Sequence, residues 1–120
     1  MSRHKHITYK NTFYDTLDEL IELFGISEKR YRLAIKKGYS IEGAIDVARY
    51  YSGRIIPHSK VLSIQEEIGH RGSLREEVRA IVDRYPKFST SEITQVSQIT
   101  HLEPRVGRVL DALRDDGLIK

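Results

Sequence analysis

Residues 16–37 read TLDELIELFGISEKRYRLAIKK and contain two short amphipathic helical patterns joined by one glycine. Thr16 is suited to cap the first helix, and Glu19, three residues later, can complete a capping box. Four apolar residues follow at helical spacing: Leu17, Leu20, Ile21 and Phe24. Gly25 can adopt the left-handed conformation that ends a helix, and Ser27 is suited to cap the next one. The pattern therefore predicts a tight helix-turn-helix.

The second helix of this pair carries almost only positive charge. Residues 29–37 include five basic side chains and no acidic one: Lys29, Arg30, Arg32, Lys36 and Lys37. At about 100° per residue, Tyr31 and Ile35 fall on the side that we expect to face the core, with Ala34 at its edge. The opposite side presents cations, with Leu33 near its centre. Long cations can reach phosphates and guanine edges, and an apolar side chain among them could contact a thymine methyl group.

The preceding helix has the opposite charge, since it holds Asp18, Glu19 and Glu22. A helix-turn-helix needs this asymmetry, because one helix packs while the other faces polyphosphate. We therefore expect the basic helix to contact nucleic acid. The alternative is a solvated basic face on which a third helix covers Leu33.

A hairpin and a third helix complete this part of the chain. Residues 7–14, ITYKNTFY, are typical of a small β-hairpin or an extended arm. Ser40 begins a third helix that runs to about Tyr51, with Ile41, Ala44, Ile45 and Ala48 on one face. We predict one N-terminal helix-turn-helix domain over residues 1–52.

This order of elements resembles small helix-turn-helix modules of phage and mobile-element proteins, over about residues 7–50. In those modules one motif closes the recognition helix and opens the next, and five positions match it here: Gly38, Tyr39, Ser40, Glu42 and Ala44. Such modules occur in regulators and as DNA-binding appendages of homing-type nucleases. The resemblance therefore implies DNA binding.

Residues 53–72 are punctuated by glycine and proline, and we interpret them as a connector with one short element. The following residues, 73–120, predict three helices and a strand stub at Leu118-Ile119. Two Ser/Glu capping boxes begin the first two helices: Ser73 with Glu76 and Ser89 with Glu92. Pro104 begins the third helix, which Gly117 ends, and its expected buried stripe is Val106, Val109, Leu110 and Leu113.

Residues 73–120 resemble the winged helix-turn-helix domain of transcriptional regulators. The match lies in the spacing of Val106, Leu110, Leu113, Gly117, Leu118 and Ile119. The chain stops where the first wing strand should begin to pair, so the resemblance implies a truncated winged helix. Arg105 and Arg108 lie near the N-terminal end of its last helix, which is the part that recognition helices insert, and Gly107 would allow close backbone approach. Alternatively, this unit is a dimerisation or partner-binding platform.

Charge and composition narrow the class of protein. Residues 1–60 hold 11 Lys/Arg against 7 Asp/Glu, whereas residues 61–120 hold 9 against 10, so the first half supplies any long-range attraction to nucleic acid. No segment is long and apolar enough to span a membrane, and the N-terminus lacks the apolar stretch of a signal peptide. We expect a soluble, cytoplasmic, nucleoid-associated protein without membrane contact.

Motifs for catalysis or cofactor binding do not occur in the sequence. Cysteine is absent, and the five histidines are scattered, so we predict no metal site. There is no Gly-rich phosphate loop, nucleophile elbow or catalytic triad. We therefore expect no catalytic residues, no cofactor and no enzyme activity. Among the tyrosines, Tyr9, Tyr14 and Tyr39 are the candidates for stacking on single-stranded bases.

These patterns predict a mainly α protein of two small helix-turn-helix units, the first with a β-hairpin and the second a truncated winged helix. We expect it to bind double-stranded DNA sequence-specifically, as a transcriptional regulator of phage or mobile-element origin. Arg3 and Lys5 would form an arm on the DNA backbone or minor groove, and a homodimer could double the contacts across a palindrome. In one alternative, residues 73–120 bind a protein partner while the first unit tethers the chain to DNA. In another, the chain is the DNA-targeting accessory of a nuclease or replication complex; RNA binding is a third.

Overall fold

A computed structural model describes residues 6–120, and its fold is mainly α-helical, as predicted. Strands β1 (Ile7–Tyr9) and β2 (Thr12–Tyr14) are followed, within these residues, by seven helices: α1 (Leu17–Phe24), α2 (Glu28–Lys36), α3 (Ile41–Tyr50), α4 (His58–Ile68), α5 (Leu74–Arg84), α6 (Thr90–Val96) and α7 (Glu103–Asp115). The chain divides into two compact units, unit 1 up to Arg49 and unit 2 from Tyr50 to Lys120. Among the helices described, none has the length and apolar character needed to cross a membrane.

Unit 1 begins with the predicted hairpin. The strands are antiparallel, with Ile7 opposite Tyr14 and Tyr9 opposite Thr12. The turn residues Lys10 and Asn11 have φ of 51° and 66°, the left-handed pair that a two-residue turn needs to match strand twist. One face of β1 is buried, which orients the hairpin against its own unit.

Helix α1 begins and ends as its sequence predicts. The Thr16 hydroxyl accepts a hydrogen bond from the Glu19 amide at 3.1 Å. The Glu19 carboxylate accepts from the Asp15 amide rather than from Thr16, so the reciprocal bond is displaced by one residue. At the other end Gly25 has φ of 63° and donates to the Glu22 carbonyl, while Ile26 donates to Ile21. These two bonds form a Schellman motif, which satisfies the last carbonyls of α1.

Unit 2 contains the segment that we interpreted as a connector with one short element. Residues 58–68 of that segment form α4, an 11-residue helix that buries Val61, Ile64 and Ile68. The Gln65 side chain donates to the Val96 carbonyl at 3.1 Å, which ties α4 to α6. The helix therefore belongs to the core of unit 2.

The predicted capping boxes of unit 2 differ in completeness. At α6 the Ser89 hydroxyl accepts from the Glu92 amide and the Glu92 carboxylate accepts from the Ser89 amide, at 3.2 Å and 2.9 Å. At α5 the Ser73 hydroxyl accepts from the Glu76 amide at 3.2 Å. Helix α7 has Pro104 in its first turn and buries Val106, Leu110 and Leu113. Val109, which we expected in the same buried stripe, is half-buried.

The C-terminal strand stub is a wrong prediction. Gly117 has φ of 72° and donates to Arg114, and Leu118 donates to the Leu113 carbonyl at 2.9 Å. The Leu118 amide therefore completes a Schellman motif at the end of α7. Residues 118–120 form no strand, because this amide closes the helix instead of pairing with another segment.

A buried carboxylate organises the turn after α6. Glu77 is 1% exposed, and its carboxylate accepts from the Ser97 hydroxyl at 2.5 Å and the Gln98 amide at 2.8 Å. Both bonds go to the charged group, which offsets part of the cost of removing it from water. This interaction fixes the chain between α6 and α7.

Candidate nucleic-acid interface

Helix α2 is defined sharply at both ends. The Ser27 hydroxyl accepts from the Arg30 amide at 3.3 Å, which is the predicted N-cap. At the C-terminus Gly38 has φ of 100°, donates to the Ile35 carbonyl, and is followed by Tyr39, which donates to Ala34. This is a third Schellman motif, after those of α1 and α7. The caps hold α2 as a helix of nine residues with a fixed register.

The buried side of α2 is defined by Tyr31 and Ala34, which are 7% and 0% exposed. Alanine is small, so its complete burial lets the backbone of α2 approach the core closely. The prediction that Ile35 faces the core is wrong, because Ile35 is 39% exposed. Arg30 and Lys37 are half-buried instead of lying on the outward side as predicted. Because Ala34 is buried, Arg32 lies on the exposed face of α2.

The exposed face carries Lys29, Arg32, Leu33 and Lys36. Leu33 is 40% exposed, so the third helix does not cover it. Glu28 forms an ion pair with Arg32 one helical turn away, an interaction that sequence analysis missed although its spacing is typical of such pairs. Among the described residues, neither Lys29 nor Lys36 forms an ion pair. These two ammonium groups are therefore available to an external anion.

A groove of about 820 Å³ lies beside this face within unit 1. Its walls come from β1, the start of α1, α2 and the start of α3, and include His6, Leu17, Ile35 and Ile41. Arg32 and Lys36 stand on its α2 side, whereas Asp18 stands on its α1 side. The groove explains why Ile35 stays exposed, since no described side chain fills the space next to it.

The hairpin places one aromatic side chain outward and one inward. Phe13 is 57% exposed, and its ring lies 4.8 Å from that of His6. Tyr9 is 1% exposed, so it is not accessible for the base stacking that we considered for it. Tyr14 and Tyr39 are half-buried, and burial raises the pKa of Tyr39 to about 12.

Arg105 and Arg108 are both exposed on α7 of unit 2. The same helix exposes Asp111 and Asp115, and Asp111 accepts a hydrogen bond from Arg114 at 3.4 Å. A methyl group on Gly107 would lie 3.8 Å from Thr90 of α6. Gly107 therefore faces α6, and close approach of DNA to the backbone at this position stays a prediction. The outward face of α7 has mixed charge, unlike that of α2.

The predicted arm residues Arg3 and Lys5 lie outside the described residues. Within residues 6–120, no group of three His, Asp or Glu side chains is placed to hold a metal ion. Comparisons of the chain with models of protein families, with curated proteins and with solved structures gave no match. The proposal below therefore depends on the surface chemistry of α2 and on the sequence resemblance.

Proposed function

We propose that this chain is a sequence-specific double-stranded DNA-binding protein that inserts α2 into the major groove. The observation that carries the proposal is the exposed face of α2, where Lys29 and Lys36 have no ion-pair partner among the described residues and Leu33 lies beside them. A face of this kind offers cations to phosphates and an apolar contact to base edges. Its capped ends reduce the conformational entropy lost on binding.

The dimensions of α2 suit this role. The major groove is about 12 Å wide, which admits an α-helix. The nine residues of α2 make a helix about 13 Å long. Because recognition helices contact bases chiefly through their N-terminal part, Lys29, Arg32 and Leu33 are the side chains closest to the base edges.

The charges of α1 favour α2 as the inserted helix. Asp18, Glu19 and Glu22 are all exposed on α1, and phosphates would repel them. In a helix-turn-helix the second helix enters the major groove. An acidic α1 and a basic α2 therefore suit one docking orientation.

For the biological role, we propose a transcriptional regulator of phage or mobile-element origin. This part of the proposal is supported by the resemblance of residues 7–50 to modules of such proteins. A second role is proposed for unit 2, as a platform for a protein partner or a second copy, because α7 exposes Asp111 and Asp115 beside its arginines. In this arrangement unit 1 tethers the chain to DNA.

The first experiment is selection of bound sites from random duplexes, followed by affinity measurements over a range of salt concentrations. Each phosphate contact contributes about 0.9 to the slope of log K against log salt, so Lys29→Ala/Lys36→Ala should lower the slope by about 1.8 and weaken binding. Lys60→Ala/Lys87→Ala is the matched control, since it removes the same charge from exposed positions of unit 2. Equal affinity and slope for the α2 variant and wild type would contradict the proposal. Stronger competition by structured RNA than by duplex DNA at equal salt would assign the surface to RNA.

A further inference from the structure

Leu33 lies between exposed lysines on the exposed face of α2. Its side chain is 40% exposed. Residues three and four positions apart are neighbours on a helix surface, and all four such neighbours of Leu33 are basic. Lys29 and Lys36 are exposed, whereas Arg30 and Lys37 are half-buried. Solvent gives an exposed leucine no stabilisation, and the core of unit 1 is built from other residues. A ligand complementary to this surface would therefore present an apolar group with an anion on each side of it.

We propose that Leu33 determines sequence specificity by contacting the C5-methyl group of a thymine in the major groove, while Lys29 and Lys36 beside it contact the flanking phosphates. This inference rests on the proposed DNA-binding function. Among the four standard bases, thymine alone presents a methyl group in the major groove. The DNA backbone places phosphates on both sides of that groove. An apolar side chain between two exposed lysines matches this arrangement of a methyl group between anions.

Ile35 provides a matched comparison on the same helix. Its exposed fraction is 39%, against 40% for Leu33. Of the four residues three and four positions from it, only Arg32 is cationic; Tyr31 lies within α2, and Gly38 and Tyr39 lie beyond its C-terminal end. It lines the groove formed with β1 and α1, whereas Leu33 does not line that groove. An effect found at Leu33 but not at Ile35 would therefore depend on position and not on exposed apolar area in general.

The test replaces each thymine of the selected duplex, one at a time, with deoxyuridine, which lacks only the C5-methyl group. Affinities are measured at one salt concentration for the full chain and for its Leu33→Ala, Leu33→Met and Ile35→Ala variants. At one thymine we expect wild type and Ile35→Ala to lose about fourfold in affinity, the value of one methyl-sized group removed from water. Leu33→Ala should lose nothing further at that position. Leu33→Met keeps a flexible apolar side chain and should retain most of the discrimination.

Each outcome separates this inference from the proposal on which it rests. Leu33 is exposed, so its variants should fold, and thermal unfolding of each variant verifies this. If wild type tolerates every uridine replacement, or if Leu33→Ala shows the same uridine penalty, the role of Leu33 is overturned while DNA binding stands. If the chain binds no duplex at all, both the function and the inference are overturned.

Discussion

The Tyr9 side chain joins three elements of unit 1. Its hydroxyl donates to Asp46 of α3 at 2.5 Å and accepts from Arg49 at 3.1 Å. The Arg49 guanidinium also lies 4.1 Å from the centre of the Phe24 ring of α1, a cation–π contact. Burial and the hydrogen bond to Asp46 raise the pKa of Tyr9. A single residue of β1 therefore holds the hairpin against α3.

Removing this hydroxyl should loosen the hairpin. Tyr9→Phe leaves Asp46 and Arg49 without their shared partner, and we expect the free energy of unfolding of unit 1 to fall by about 1–2 kcal/mol. Urea unfolding followed by hydrogen exchange of hairpin amides measures the change. Tyr14→Phe is the control, because the Tyr14 hydroxyl makes no hydrogen bond within the described residues. Equal destabilisation by the two variants would contradict the role of Tyr9.

Alkaline pH should destabilise unit 1 through its buried tyrosines. Burial raises the pKa of Tyr31, and that of Tyr39 to about 12, above the ordinary value near 10. A raised pKa means that the fold favours the neutral phenol, so this stability is complete below pH 10 and is lost as pH rises toward 12. Hydrogen exchange of each unit, referenced to exchange rates of the unfolded chain at the same pH, measures this. Tyr39→Phe should reduce the loss in unit 1, and an unchanged pH profile in that variant would exclude Tyr39 as a cause.

At the scale of elements, three helices end in the same way. Gly25, Gly38 and Gly117 all have positive φ, and each is followed by an amide that bonds back into the helix. Glycine adopts this conformation without the steric cost that a Cβ imposes. These ends set the lengths of α1, α2 and α7, and thereby the register in which α2 presents its cations.

A substitution at the end of α1 should show this backbone cost by itself. A Cβ at Gly25 would meet no atom within 4 Å, so Gly25→Ala introduces no clash and should cost about 1 kcal/mol through its left-handed φ. Gly25→Asn should cost less, because asparagine tolerates this conformation better. Thermal or urea unfolding measures both.

Gly72 supplies the control for that measurement. Its φ lies outside the left-handed region, and an added Cβ would make an ordinary contact with Glu76 at 3.7 Å. Gly72→Ala should therefore be neutral or stabilise the chain slightly by restricting its unfolded state. A loss of stability at Gly72 equal to that at Gly25 would show that the left-handed conformation is not the cause.

At the scale of the whole molecule, the two units present different surface charge. Helix α2 of unit 1 exposes Lys29 and Lys36, which form no ion pair within the described residues, whereas α7 of unit 2 exposes Arg105 and Arg108 together with acidic residues. If both units contact DNA, their joint footprint should exceed that of one recognition helix, and tethering raises the overall affinity without either contact being strong.

The footprint of an arginine variant distinguishes the roles proposed for unit 2. If Arg105 and Arg108 contact DNA, Arg105→Ala/Arg108→Ala should shorten the protected region at one end and leave the half contacted by α2 protected. Nuclease or hydroxyl-radical footprinting at saturating protein measures this. A footprint of unchanged length would exclude DNA contact by these arginines and favour the protein-binding role for unit 2.

Local signals in the sequence predicted most elements correctly. Thr16, Ser27 and Ser89 cap helices as expected, because a hydroxyl three residues before an amide satisfies that amide within one turn. The hairpin was predictable from its alternating pattern around Lys10-Asn11. Such features depend on residues close in the chain, so they require no knowledge of the tertiary structure.

The sequence by itself determined the helix ends, the mainly α class and the concentration of charge on α2. Tertiary packing alone decided which side of α2 is buried, since Ala34 approaches the core more closely than the larger Ile35 can. It also decided that residues 58–68 form a core helix and that Gly107 faces α6. The physical reason is that burial depends on distant residues competing for the same space, whereas caps and charge depend on immediate neighbours.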